Sequence, residues 1–166
     1  MCPHPAYAVL MPKHVKTVAD VMTTKVLAVG PGTSIESAAR LFAQRKVRGA
    51  PVVEQDGSVI GVVSLTDFAD PDRQRGPTYG SSLYYSLEDG LANEYGAHFL
   101  WKQGVVADVM TPDVLSIHPN ASIVVAGHRM VTMGVHRLLV VDDDRMLAGI
   151  VSVTDLVRGF VESVAA

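Results

Sequence analysis

A serine, a threonine and an aspartate stand in the order Ser-x-Thr-Asp at Ser64-Leu65-Thr66-Asp67, and the same order returns at Ser152-Val153-Thr154-Asp155. Two hydroxyls and a carboxylate within four residues have two chemical uses. Turned onto the first turn of a helix, they satisfy its orphan amides and complement its positive dipole end. Turned outward, the carboxylate accepts hydrogen bonds from the adjacent hydroxyls of a ribose, and the helix amides receive a phosphate. Spacing alone leaves both uses open. A second group is cationic: Gly134-Val135-His136-Arg137 in one part of the chain, and Lys46-Val47-Arg48-Gly49 in the other. Arginine offers phosphate oxygens a planar fork of donors, and histidine adds a pH-sensitive donor. The same residues also suit the solvated end of a strand.

Other chemistries fit less well. Ser152, His136 and Asp155 can be written as a hydrolytic triad. The matching stretch has Arg48 in place of the histidine, and no nucleophile-elbow sequence surrounds the serine, so binding is expected rather than catalysis. Gly30-Pro31-Gly32 suggests a phosphate loop, but its counterpart is His118-Pro119-Asn120 and the full glycine fingerprint is missing. The six histidines form no helical i, i+4 pair backed by a carboxylate, and Cys2 is the single cysteine. No metal centre, required cofactor or disulfide framework is therefore expected.

The elements that must position these groups come from a duplication. Val18-Ala19-Asp20-Val21-Met22-Thr23 recurs letter for letter as Val106-Ala107-Asp108-Val109-Met110-Thr111. Carried forward without a gap, the same offset makes about 21 of the 51 positions from Val18 to Phe68 identical, a tandem repeat. Each copy reads strand, helix, strand, strand, helix. An apolar run (Val26 to Val29, Val114 to Ile117) precedes a helix with apolar positions Ile35, Ala38, Ala39 and Phe42, or one from Ser122 to Met133 stopped by Gly134. Thr33 and Glu36 have capping-box spacing. Two strands follow, Ala50 to Val53 and Val59 to Ser64, or Leu138 to Val141 and Leu147 to Val153. The last helix is expected to start at Thr66 or Thr154, with the threonine as its cap. Between the copies lies an aromatic segment in which Leu87, Leu91, Tyr95 and Phe99 recur every four residues, predicting a helical insert.

Composition narrows the function. Of 166 residues, 48% are hydrophobic and 19% charged, and 14 basic against 17 acidic residues leave a net charge of −3. No basic excess points to nucleic acid or to an anionic membrane surface. No stretch approaches the roughly 18 apolar residues of a membrane span, and Met-Cys-Pro-His-Pro does not open a signal peptide. A soluble, cytoplasmic protein is expected.

Asp-Val-Met-Thr, the Val-Val strand, and Gly-x-Val-Ser-x-Thr-Asp at Gly61 to Asp67 and Gly149 to Asp155 resemble the cystathionine-β-synthase-type (CBS) domain family, and two copies resemble a CBS pair. Val135 to Asp142 is also similar to a stretch of the γ subunit of AMP-activated protein kinase. The resemblance implies an α/β (α+β) fold of two pseudo-symmetric repeats packed through their sheets. Its divisions would be an N-terminal arm 1–14, repeats 15–68 and 103–166, and a connector 69–102. It implies a cleft between repeats for AMP, ADP or ATP, with S-adenosylmethionine or NAD as other adenosyl ligands. Asp67 and Asp155 would hold ribose hydroxyls, with Ser64, Thr66, Ser152 and Thr154 along the ribose-phosphate path. His136, Arg137 and Arg48 would face phosphates, and Val63 and Val151 the base. Gly49 stands where the second copy has Arg137, so the two pockets are expected to differ in phosphate affinity. The implied function is a stand-alone, homodimeric, non-enzymatic nucleotide sensor that acts on a partner protein. A constitutive scaffold with ligand-insensitive clefts is the alternative.

Overall fold

The computed structural model of the chain describes residues 16–69 and 104–165. The N-terminal arm and the aromatic insert expected from the sequence lie outside the described residues. The first repeat holds a 3₁₀ turn Val18–Asp20, α1 (Ile35–Arg45), β1 (Gly49–Val53), β2 (Val59–Ser64) and α2 (Leu65–Ala69). The second holds α3 (Val106–Val109), β3 (Ser116–Ile117), α4 (Ile123–Met133), β4 (Arg137–Val141), β5 (Leu147–Ser152) and α5 (Val153–Ala165). This is the mixed helix-and-strand architecture the duplication implies.

The two repeats fold alike because equivalent residues do equivalent work. Ser34 caps α1 by accepting from the Ser37 amide at 3.2 Å, and Ser122 caps α4 through the Val125 amide at 3.2 Å. The expected Thr33–Glu36 box does not form. Its counterpart Ala121 has no hydroxyl, while Ser34 and Ser122 are common to both copies, and Glu36 pairs with Arg40 at 2.6 Å instead. Lys46 (φ 54°) and Gly134 (φ 64°) end these helices in the left-handed region. Both hairpins are antiparallel in one register, Gly49 opposite Ser64 and Arg137 opposite Ser152, each with an irregularity near the far end.

The opening strands fall short of the sequence expectation, and unequally. In the second repeat β3 runs parallel to β4, and the Leu139 amide donates to Leu115 O at 3.2 Å. Its counterpart in the first repeat is Pro51, which has no amide hydrogen to give. There the strand shrinks to one bridge, Val29 with Val52.

The duplicated hexapeptide crosses over. Val18 and Ala19 donate to Ala121 O and Pro119 O of the second repeat at 2.8 and 2.9 Å, while Val106 and Ala107 donate to Thr33 O and Pro31 O of the first at 2.8 and 3.0 Å. Thr23 exchanges two hydrogen bonds with Ile150, both 2.9 Å, and Thr111 exchanges two with Val62, at 2.8 and 2.9 Å. Buried Val18 therefore joins the core around Ile123, Met130 and Leu138, and buried Val106 and Val109 join the core around Ile35, Phe42 and Phe68. Asp20 braces its own turn by accepting from the Thr17 amide and hydroxyl, both at 2.8 Å, and Asp108 accepts from the Val105 amide at 2.9 Å. The Thr17 amide, then its hydroxyl, holds the exposed Asp20 carboxyl below the usual carboxylate range. The two hairpin turns also meet, the Val59 amide donating to Arg145 O at 2.9 Å.

This crossing explains the repeated glycine of the Gly-x-Val strand. A Cβ on Gly61 would lie 2.9 Å from Thr111 O and 3.0 Å from Met110 Sδ. On Gly149 it would lie 2.8 Å from Thr23 O and 3.0 Å from Met22 Sδ. Backbone, not a pliable side chain, is the nearer neighbour in both. Gly61→Ala and Gly149→Ala should each lose about 2 kcal/mol in denaturant unfolding, the cost of overpacking. Gly32→Ala, where a Cβ meets nothing within 4 Å, should stay near the parent.

Candidate ligand-binding site

Each Ser-x-Thr-Asp group sits where a returning strand becomes a helix, and that helix starts one residue before the expected threonine. α2 and α5 begin at Leu65 and Val153, so Ser64 and Ser152, not the threonines, take the cap position. The Ser152 amide and hydroxyl donate to Asp155 Oδ2 at 2.9 and 2.6 Å, and the Asp155 amide donates back to Ser152 Oγ at 3.3 Å. This is a closed capping box. In the first repeat the Ser64 amide and hydroxyl both donate to Asp67 Oδ2 at 2.7 Å. Because Ser64 Oγ–H is so used, the Thr66 hydroxyl, 2.8 Å away, is the donor to Ser64 Oγ.

The helix-capping use of these residues is therefore realised, on one carboxylate oxygen. The other oxygen of Asp155 faces Arg158 Nη1 at 3.5 Å, across a mostly exposed guanidinium. Thr154 is exposed, whereas Thr66 is half-buried and Ser64 is buried. With the Ser152 proton committed to a carboxylate and no imidazole between them, the triad geometry is absent. Among the described residues no cluster of three or more His, Cys, Asp or Glu side chains is placed to hold a metal ion.

The structure brings the cationic residues to the same places. The Leu65 amide donates to Arg48 O at 2.8 Å and the Val153 amide to His136 O at 3.0 Å, tying each basic residue's backbone to the helix start. Arg137, exposed, stands opposite Ser152 in the hairpin, where the first repeat has Gly49 opposite Ser64. There are thus two clusters, one per repeat: Arg48, Ser64, Thr66, Asp67; and His136, Arg137, Ser152, Thr154, Asp155. Val63 and Val151, the residues expected against a base, are fully buried, one in each core.

The CBS-domain family profile matches residues 18–70 and 106–162. The chain belongs to the CBS-domain family. The chloroplastic CBS domain-containing protein CBSX2 of Arabidopsis thaliana is 29% identical over 155 residues, 86% of this chain and 62% of that protein. A crystal structure of CBSX2 in complex with AMP has a TM-score of 0.63 to this fold at 30% identity, covering 88% of this chain and 96% of that one. CBS domain-containing protein YhcV of Bacillus subtilis (strain 168) is 33% identical over 140 residues, 84% of this chain and 82% of that protein. The γ-3 subunit of 5'-AMP-activated protein kinase of Sus scrofa is 29% identical over 153 residues, 90% of this chain but 27% of the subunit. The chain thus spans less than two thirds of CBSX2 and about a quarter of the kinase subunit. Among the described residues no helix is long and apolar enough to cross a membrane.

As a CBS pair, the chain carries two features that motif reading passes over. One is the crossing of Met22-Thr23 and Met110-Thr111 onto the strands that lead into the clusters of the opposite repeats. Sequence identity marks the segment as repeated but not where it docks. The other is an apolar outer face on α4 and α5, which the aligned copies signal: Val124 and Val131 stand against Glu36 and Ala43.

Since the box holds α5 with or without a ligand, Ser152→Ala and Asp155→Ala should each lower ligand-free stability by about 1 kcal/mol. The double variant should fall well short of the sum, as one hydrogen-bonded unit is removed. Denaturant unfolding of the four proteins checks this.

Proposed function

We propose that this CBS pair is a regulatory module that binds an adenine nucleotide (AMP, ADP or ATP) at its Ser-x-Thr-Asp clusters and signals the occupancy to a partner protein. The observation that carries the reading is the twin placement of a carboxylate, hydroxyls and a basic residue at a helix start, in a chain similar to a protein crystallised with AMP. A ribose diol can donate to the aspartate, and the helix amides with Arg48, or with His136 and Arg137, supply donors for phosphate. The second cluster offers phosphate two donor side chains, His136 and Arg137, where the first has Arg48 beside Gly49, so the two differ in phosphate affinity and the second is the tighter site. Other adenosyl ligands, S-adenosylmethionine or NAD, share the ribose and would compete there.

The mechanism is a shift of population. Each cluster ends a strand onto which the other repeat is hydrogen-bonded, so a ligand that tightens one cluster favours one arrangement of both repeats. The module works as a cytoplasmic homodimer without catalysis of its own.

Thermal unfolding of the full chain with AMP, ADP, ATP, S-adenosylmethionine and NAD tests this, each variant being referred to its own ligand-free midpoint. A nucleotide at 100 times its Kd should add about 2.7 kcal/mol, a shift of several degrees. Asp155→Ala should remove most of that shift and Asp67→Ala less. No shift with any adenosyl compound would overturn the sensor and leave a constitutive scaffold.

A further inference from the structure

The first repeat has an open groove at the end of its hairpin away from the Ser-x-Thr-Asp cluster. Its volume is about 480 Å³, and its two walls are Gly30–Thr33, ahead of α1, and Val53–Gln55, leaving β1. Gly49 marks the cluster end of the hairpin, opposite Ser64, and Val53 the far end, opposite Val59. The offset of the duplication pairs these walls with His118–Ala121 and Val141–Asp143 in the second repeat. There a side chain spans the gap between them. The His118 ring accepts from the Asn120 amide through Nδ1 at 3.1 Å, and its Nε2 faces Asp143 Oδ1 on the other wall at 3.5 Å. Glycine at position 30 supplies no such ring, so the first repeat keeps the walls without the group that joins them.

The partners of the ring are retained. The Gly32 amide stands where the Asn120 amide is, and Gln55 stands where Asp143 is. Glu54 replaces Asp142, and its carboxylate is put to a different use. Asp142 Oδ1 braces its own turn by accepting from the Asp144 and Met146 amides at 3.1 and 2.8 Å. In the first repeat Asp56 braces the turn, accepting from the Ser58 amide at 2.9 Å, and Glu54 stands exposed on the groove wall. A ligand there meets an amide donor on one wall and acceptors on the other. A guanidinium or ammonium group has no acceptor for the amide. A phosphate or carboxylate has no proton for the acceptors and is repelled by Glu54. A neutral imidazole has one acceptor and one donor nitrogen on a flat ring, and so satisfies both walls.

We propose that the groove between Gly30–Thr33 and Val53–Gln55 binds the imidazole group of an external ligand, in the place that His118 fills in the second repeat. The Gly32 amide donates to one ring nitrogen, and Gln55 or Glu54 accepts from the other. The groove is larger than one five-membered ring and has room for the group that carries it. Free histidine and a histidine within a polypeptide share this chemistry. The site lies at the opposite end of the hairpin from Ser64 and does not depend on the nucleotide reading. A Cβ on Gly30 would make only ordinary contacts, 3.8 Å to Thr33 Oγ1 and 4.0 Å to Val53 O, so a side chain can be restored at that position.

Amide spectra of the ¹⁵N-labelled full chain provide the test, at about pH 8 where imidazole is mostly neutral. The probes are imidazole, L-histidine and N-acetyl-L-histidine methylamide. Saturable shifts should centre on Gly32, Thr33, Glu54 and Gln55, with a Kd in the millimolar range for the bare ring, within what so small a ligand can supply. Tighter binding of L-histidine identifies the free amino acid as the source, and tighter binding of the blocked form a histidine in a partner chain. Gly30→His, which sets a ring in the groove from within, should move the Gly32 resonance without ligand and abolish the response to all three probes. His118→Gly should open the equivalent site, its Asn120 amide then responding to imidazole as Gly32 does. Circular dichroism confirms that both variants are folded. No saturable shift with any probe, or an undiminished response in folded Gly30→His, overturns the site. A folded His118→Gly chain that stays silent at Asn120 overturns the assignment to imidazole.

Discussion

Two backbone crossings hold the rest of the structure in place. At Gly61 and at Gly149 a strand of one repeat is approached so closely by the Met-Thr segment of the other that a carbonyl oxygen stands under 3 Å from where a Cβ would be. Only glycine fits, and its absence of side chain allows each segment to form two hydrogen bonds with the strand it crosses. From this follow the shared cores. Val18 fills the second repeat and Val106 the first, so neither repeat is complete on its own. The strands crossed are the ones that end in Ser64 and Ser152. A change at one cluster thus acts on a strand to which the other half of the molecule is hydrogen-bonded.

Much of this was legible in the residues. An identical hexapeptide, a constant offset and matching strand pairs disclosed two copies of one α+β unit, and β1, β2, β4 and β5 fall within a residue of where the apolar runs place them. The misreadings have local causes. A hydroxyl three residues before a carboxylate favoured Thr33 as the α1 cap, when the shared Ser34 and Ser122 do the work. The threonines of Ser-x-Thr-Asp resembled caps, whereas the serines take that role because each helix begins one residue earlier. Proline at position 51 removes a donor whose loss is felt on a neighbouring strand. The destination of Asp-Val-Met-Thr left no mark, since two equal copies are equally compatible with docking at home or across.

The site combines stability and recognition in the same atoms. Asp155 Oδ2 closes a helix cap while Oδ1 faces a mobile-length arginine across 3.5 Å, and Arg137 extends from the opposing strand. A carboxylate fixed through one oxygen presents the other in a defined direction, the preorganisation that lowers the entropic cost of gripping a diol. The unequal cations, Arg48 beside Gly49 against His136 beside Arg137, and the unequal outer faces, polar on α1 against apolar on α4, distinguish two repeats that share a fold. The duplication kept the frame and let the surfaces diverge.

The central claim is that the Ser-x-Thr-Asp clusters themselves receive the nucleotide. Amide resonances of the ¹⁵N-labelled full chain, followed through a titration with AMP, test it most directly. The account predicts saturable shifts centred on His136, Arg137, Ser152, Thr154 and Asp155, reaching Thr23 across its hydrogen bonds to Ile150. Saturable shifts confined to residues remote from both clusters, or none at millimolar AMP, would contradict it.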